Sequence, residues 1–233
     1  MAGNFVANNL SIIEKRISKI SSKNNSRNDR VLILAVSKKQ SIETIKMAYE
    51  AGLQAFGENY VQELLEKQSQ LGNLDIEWHF IGHLQKNKIK KIVGRVSLIH
   101  SIDDFEMAKE ISERAVLLGV QQRILIQVNI AKEVSKGGVL EENLMNFVER
   151  LLPLKGLDLC GLMTMPPLDF EGESSGLVFK SCCEWRNKIR KKFNELKNFD
   201  ELSMGTSHDY ESAVINGATI IRLGTSLLGS RGA

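Results

Sequence analysis

Lys38 stands directly after the apolar run VLILAVS, residues 31–37. A lysine at the edge of an apolar site is partly desolvated, which lowers its pKa and favours the neutral amine. A neutral amine can form a Schiff base with an aldehyde. A snorkelling surface lysine fits the same position, and the adjacent Lys39 shows that such residues occur here. Taken alone, Lys38 reads as that surface residue. Arg222 lies inside a second apolar run, TIIRLG (219–224). A buried cation needs a partner, either a carboxylate or a ring nitrogen of a bound heterocycle. Two segments then place Gly, Ser and Thr where a strand turns into a helix: Gly205-Thr206-Ser207 and Gly224-Thr225-Ser226. Each hydroxyl could be a simple helix cap. Two such loops of the same character favour an anion instead, because free N–H groups at a helix start attract negative charge. An amine, a guanidinium and an anion cradle are the three demands of pyridoxal 5′-phosphate (PLP): a partner for its aldehyde, one for its ring nitrogen and one for its phosphate.

These residues need elements to bring them together. The runs 31–37, 54–58, 77–82, 97–102, 123–130, 158–165, 201–205 and 219–224 read as strands, and helical periodicity fills the segments between them. Strict alternation implies parallel strands with right-handed crossovers. Eight units at this length predict a (β/α)8 TIM-type barrel, with sites at the carboxyl ends of its strands. The rival, a doubly wound open sheet, normally carries a glycine-rich fingerprint after the first strand, and AVSKKQS has no glycine. An extra amphipathic helix opens the chain, with Phe5, Leu10, Ile13, Ile17 and Ile20 as its stripe, and is expected to close the barrel floor. No linker or composition shift divides the chain, so residues 1–233 read as a single domain.

Composition narrows the classes. Among 233 residues, 42% are hydrophobic and 25% charged, enough apolar material for a folded core. Lys+Arg 31 against Asp+Glu 28 gives +3, too weak to imply nucleic acid. Basic runs do occur, from Lys86 to Arg95 and from Arg186 to Lys192, but they read as solvated helix faces. The apolar runs are too short to span a bilayer. Cys160, Cys182 and Cys183 have no disulfide or zinc spacing, and the N-terminus has no signal-peptide pattern. The expectation is a cytoplasmic protein. His79 and His83 bracket a strand end, and His79 reads as a hydrogen-bonded core residue.

In sequence order, LAVSKKQ, FGENYVQE, EWHFIGHLQKNK, NIAKEVSKGG, GLMTMPP, LSMGTSHDYESAV and IIRLGTSLLG resemble the pyridoxal phosphate homeostasis protein family. Its members are also called proline synthetase co-transcribed homologues. The similarity spans about residues 5 to 231. It implies the barrel of the alanine racemase N-terminal domain. It implies that Lys38 carries PLP as an internal aldimine and that Arg222 faces the pyridine nitrogen. It further implies that Ser207, Gly224 and Thr225 hold the phosphate, that Asn59 lies near the ring and that Met204 packs close by. The chain departs from the family at Thr206, His208 and Tyr210, which leaves the edge of the pocket open.

The resemblance also implies a carrier rather than an enzyme. Family members bind PLP and regulate its cellular supply without an established catalytic activity. A role in buffering PLP or delivering it to apoenzymes is therefore expected, in a monomer with no nucleic-acid or membrane partner and no metal. The alternative is a weak racemase or transaminase. Two features count against it. Racemases take their second base from a domain after the barrel, and this chain ends at Ala233. An arginine at the ring nitrogen donates without giving up its proton, so the ring is a weaker electron sink.

Overall fold

The computed structural model describes residues 4–23, 31–133, 136–167 and 173–230. The glycine- and serine-containing loop after Pro167 and the centre of NIAKEVSKGG fall largely outside these residues. Helix α1 (Phe5–Lys23) leads into strand β1 (Leu32–Val36), then α2 (Ile42–Glu50), β2 (Ala55–Glu58), α3 (Val61–Gln70) and β3 (Glu77–Phe80). A 3-10 turn at Lys86–Lys88 and one turn of helix, α4 (Ile89–Ile92), precede β4 (Leu98–Ile102) and α5 (Phe105–Leu117). The second half holds β5 (Gln122–Asn129), β6 (Val139–Leu140), α6 (Glu141–Leu151), β7 (Leu157–Met163) and α7 (Glu173–Lys192). It closes with β8 (Glu201–Ser203), α8 (Tyr210–Ile215), β9 (Ile220–Leu223) and α9 (Thr225–Leu228).

The strands run in the order β4-β3-β2-β1-β9-β8-β7-β5, and β4 pairs with β5 to close the ring. All of these pairings are parallel, so the described residues form the expected eight-stranded barrel. The alternation of side chains along each strand divides them between two cores. Leu34, Ala55, Leu98, Leu125, Cys160, Met163 and Ile220 fill the lumen. Their neighbours Ala35, Phe56, Phe80, Ile99, Leu202 and Ile221 face outward into the layer under the helices. Phe56, Phe80, Phe179 and Phe199 are fully buried there, each worth about 2–3 kcal/mol of transfer free energy.

Three expectations change. Helix α1 lies against α2, α8 and α9, the helices flanking β1 and β9, so it completes the outer ring rather than sealing the floor. Its buried stripe starts at Val6 rather than Phe5, which gives a regular 6-10-13-17-20 spacing. The basic segment 85–93 is a three-residue 3-10 turn followed by a single helical turn, because only Ile89, Ile92 and Val93 anchor it to the core. The two-residue strand β6 beside β5 has no counterpart in the sequence pattern.

Candidate functional site

The predicted residues come from adjacent strands at one end of the barrel. Asn59 follows β2, Lys38 follows β1, Arg222, Gly224 and Thr225 belong to β9 and its exit, and Met204 and Ser207 follow β8. In the ring these strands stand as β2-β1-β9-β8, so their carboxyl ends form one continuous arc. Parity aims the key side chains inward. Ala55 lines the lumen, and a Cβ built on Gly57 would meet Leu34 and Ile81, so Asn59 continues the inward-facing series. Its Oδ1 is buried and has no hydrogen-bond partner among the described residues. Gly82 presses on it from β3, where any side chain would lie 2.0 Å from the Asn59 carbonyl oxygen. Lys38 lies in the turn past the end of β1 and is half-buried.

Arg222 shares the face of Ile220 and points into the lumen beside its register partner Leu34. It is 6% exposed. Its Nη1 donates to Ser203 O at 2.7 Å and Ser203 Oγ at 2.8 Å, and its Nη2 donates to Thr164 O at 3.0 Å. Those acceptors are neutral. Burial lowers its pKa to about 10, with Asp209 and then Cys182 acting in the opposite sense. The guanidinium is therefore a cation at neutral pH. Three of its five N–H groups are engaged, leaving donors for a further acceptor.

The two turns form one structure. Ser207 Oγ lies 2.9 Å from Ser226 Oγ and accepts from the Ser226 N–H at 3.3 Å. Gly224 sits beside β1, where an added Cβ would stand 3.8 Å from Val36 O. Gly205 has a φ of +92°, and a side chain there would stand 2.5 Å from the Ala213 Cβ. Glycine alone lets the chain turn at this point. The departures from the family pattern face away from the cradle. Thr206 donates through N at 2.6 Å and through Oγ1 at 2.9 Å to Asp209 Oδ1, which closes the loop on itself. His208 is exposed, and the Tyr210 hydroxyl approaches Glu211 Oε1 at 3.4 Å. Met204 differs from the other six residues. It is fully buried in the layer under the helices, with the parity of Leu202, so its side chain braces the loop from behind rather than lining the mouth.

Sequence reasoning missed two polar groups. Behind β2, Lys67 Nζ lies 2.8 Å from Glu58 Oε1, 2.6 Å from Glu63 Oε1 and 2.6 Å from Ser37 O. Ser37 Oγ also donates to Glu58 Oε1 at 2.7 Å, and Glu63 Oε1 accepts from the Lys39 N–H at 2.5 Å. Burial pushes the Glu58 carboxyl above its ordinary range, with Lys67 and Ser37 pulling it back. This cluster clamps the backbone on both sides of Lys38. Its signal was Lys67 itself, a charge on the apolar stripe of α3 with Val61 and Leu64. The second group starts at Ser203 and runs through His100 and His79, the latter placed as predicted in a buried hydrogen-bond network. Elsewhere, a cavity of about 580 Å³ lined by Gln68, Ser69, Lys90, Lys91 and Arg95 opens between α3 and α4. Most of its lining is exposed, and it lies outside the strand-end arc.

This arrangement defines a barrel protein of the alanine racemase N-terminal type. The family model described as alanine racemase, N-terminal domain, matches residues 9–232. Alanine racemase from Corynebacterium glutamicum shares the fold at a TM-score of 0.70 and 12% identity, covering 95% of this chain and 60% of the racemase. More specifically, the chain belongs to the pyridoxal phosphate homeostasis protein family. It is 42% identical over 222 residues to the pyridoxal phosphate homeostasis protein of Aquifex aeolicus, covering 95% of this chain and 96% of that one. It also resembles the structure of PipY from Synechococcus elongatus PCC7942 with PLP bound, at 32% identity and a TM-score of 0.85, covering 96% of this chain and 100% of that one.

Proposed function

We propose that this chain is a PLP-binding protein of intracellular PLP homeostasis, a single barrel domain over residues 1–233 that buffers the cofactor or delivers it to apoenzymes. The observation that carries this reading is Arg222: a lumen cation held by neutral acceptors, with donors to spare, in the arc that also holds Lys38. Lys38 supplies the amine for a Schiff base with PLP. Arg222 donates to the ring nitrogen. Ser207, Gly224 and Thr225 receive the phosphate, and Asn59 offers its unpartnered Oδ1 near the ring. Met204 supports the phosphate loop through packing. Bound PLP supplies an electrophilic aldehyde and a conjugated ring.

The residues favour retention over turnover. A guanidinium that stays charged donates to the ring nitrogen but does not protonate it, which leaves the ring a poor electron sink. The name of the Aquifex relative agrees with a homeostatic role. We place the protein in the cytoplasm as a monomer, without metal, nucleic acid or membrane as partner. No helix among the described residues is long and apolar enough to cross a membrane.

The test is a visible absorbance spectrum of the purified protein with added PLP, before and after borohydride. A Schiff-base band that borohydride removes and that Lys38→Ala lacks supports the reading. Absence of the band, or its persistence in Lys38→Ala, overturns it. Turnover of D- or L-alanine that Lys38→Ala abolishes would move the protein to the racemase class.

A further inference from the structure

The barrel lumen is not wholly apolar. A line of hydrogen bonds crosses it from the mouth towards the floor. Arg222 Nη1 reaches Ser203 Oγ at 2.8 Å, and Ser203 Oγ lies 2.8 Å from His100 Nδ1. His100 Nε2 then lies 2.9 Å from His79 Nδ1, and His79 Nε2 lies 3.1 Å from Glu77 Oε1. The members come from β9, β8, β4 and β3. Ser203, His100 and His79 are each at most 1% exposed, while Glu77, at the start of β3, is partly open to solvent.

The chemistry of the two end members fixes the direction of the bonds between them. An arginine only donates, so Ser203 Oγ accepts from it. At the far end the Glu77 carboxylate only accepts, so His79 donates to it from Nε2. As a neutral ring, His79 accepts at Nδ1 from His100 Nε2, which leaves His100 Nδ1 to accept the single Ser203 proton. Both rings thus carry their proton on Nε2. Burial holds the His100 pKa well below the ordinary histidine value, with neighbouring His79, Arg222 and Arg123 acting in the same sense. His100 is thus a neutral link in a chain that has a cation at one end and a carboxylate at the other.

We infer that His100 and His79 are positioning residues for Arg222: through Ser203 they form a one-way hydrogen-bond chain that fixes the guanidinium plane and so aims its remaining donors at the ring nitrogen of bound PLP. The inference rests on the proposed role of Arg222 in that site. Its physical basis is local. Both Nη1 hydrogens go to Ser203, and the Ser203 hydroxyl keeps its lone pairs turned to Arg222 while His100 takes its proton. Successive hydrogen bonds of one sense polarise each other in a low-dielectric interior. Without His100 the hydroxyl is free to turn, and the planar fork loses one of its two fixed edges.

Two measurements test this. First, 15N NMR of histidine-labelled full-length protein, before and after adding PLP, reads the tautomers directly. His100 and His79 are both expected as the neutral Nε2–H form. An Nδ1–H form or a doubly protonated ring at His100 overturns the inference. Second, PLP affinity is compared in His100→Asn and His100→Phe. Asparagine keeps an acceptor near the Nδ1 position but loses ring volume, whereas phenylalanine keeps the volume and loses the acceptor. The inference expects His100→Phe to bind PLP about tenfold more weakly than wild type, with His100→Asn losing less. A role limited to filling space reverses that order and overturns it. Ser203→Ala removes the junction without adding bulk, and it carries the same expectation should His100→Phe fail to fold. If wild type binds no PLP, the reading of the site has failed and the inference falls with it. If wild type binds PLP and all three variants match it, the inference alone is overturned.

Discussion

Two buried polar groups flank the candidate site, and they are built on opposite plans. Behind β2, Glu58, Lys67, Glu63 and Ser37 crowd opposite charges within hydrogen-bonding distance under α3. In the lumen, Arg222 and Glu77 stand at the two ends of a chain of neutral groups. The compact cluster holds backbone: the Ser37 carbonyl and the Lys39 N–H, on either side of Lys38. The extended chain holds a side chain. A Schiff-base amine needs a fixed tether and a mobile tip, whereas a donor to a ring nitrogen needs a fixed plane. The two plans match those two needs.

The sharpest way to break the comparison is Lys67→Met. It removes the cation from the compact cluster and leaves Glu58 charged and buried. A loss of about 3 kcal/mol or more in urea unfolding is expected. Adding Glu58→Gln should recover part of that loss, because the uncompensated charge is then gone. An additive result would show that charge was not the cause. The lumen chain should respond much less at its floor. The hydrogen bond from His79 lowers the Glu77 pKa, with burial opposing and neighbouring His79 and Arg123 assisting. Its stabilisation is therefore present above the ordinary glutamate value of about 4.3 and is lost as pH falls through the lower folded value. Wild type should exceed Glu77→Gln in Tm by a constant amount above about pH 5, and the difference should shrink as the pH falls further. Partial exposure keeps that difference below about 1 kcal/mol. The smallest effect belongs to the surface pair Arg16–Glu211, at 3.0 Å with both side chains about half exposed. Arg16→Ala should shift the urea midpoint least of the three, and added salt should shrink even that shift.

The barrel was legible because its signal repeats. Apolar runs and helical periodicity recur along the chain, so an error at one boundary does not change the class. Arg222 stood out because it interrupts such a run, whereas Lys38, which follows one, was singled out by its combination with Arg222 and the two loops and by the family resemblance. The Glu58–Lys67 pair was not legible, since it joins the outer face of a strand to a helix stripe and requires the angle between the two elements. His100 and Ser203 were hidden for another reason. Each sits at the inward parity of a short strand, and only ring closure places β4, β8 and β9 around one axis. Met204 was singled out only by the LSMG motif of the family resemblance, and it lies with Leu202 in the layer under the helices.

The pairing of β1 with β9 has a consequence for how the molecule is made. Leu32 needs Ile220, and Leu34 needs Arg222, across almost the whole length of the chain. On the ribosome, the segment bearing Lys38 emerges well before its partner strand. Until that strand arrives, α1 has no α8 or α9 to lie against, and β1 keeps an open edge. Such long-range pairing is slow to form and leaves edges exposed meanwhile. Lys38 on a nascent chain therefore stands without Arg222, Gly224 and Thr225 until β9 and its exit have been made.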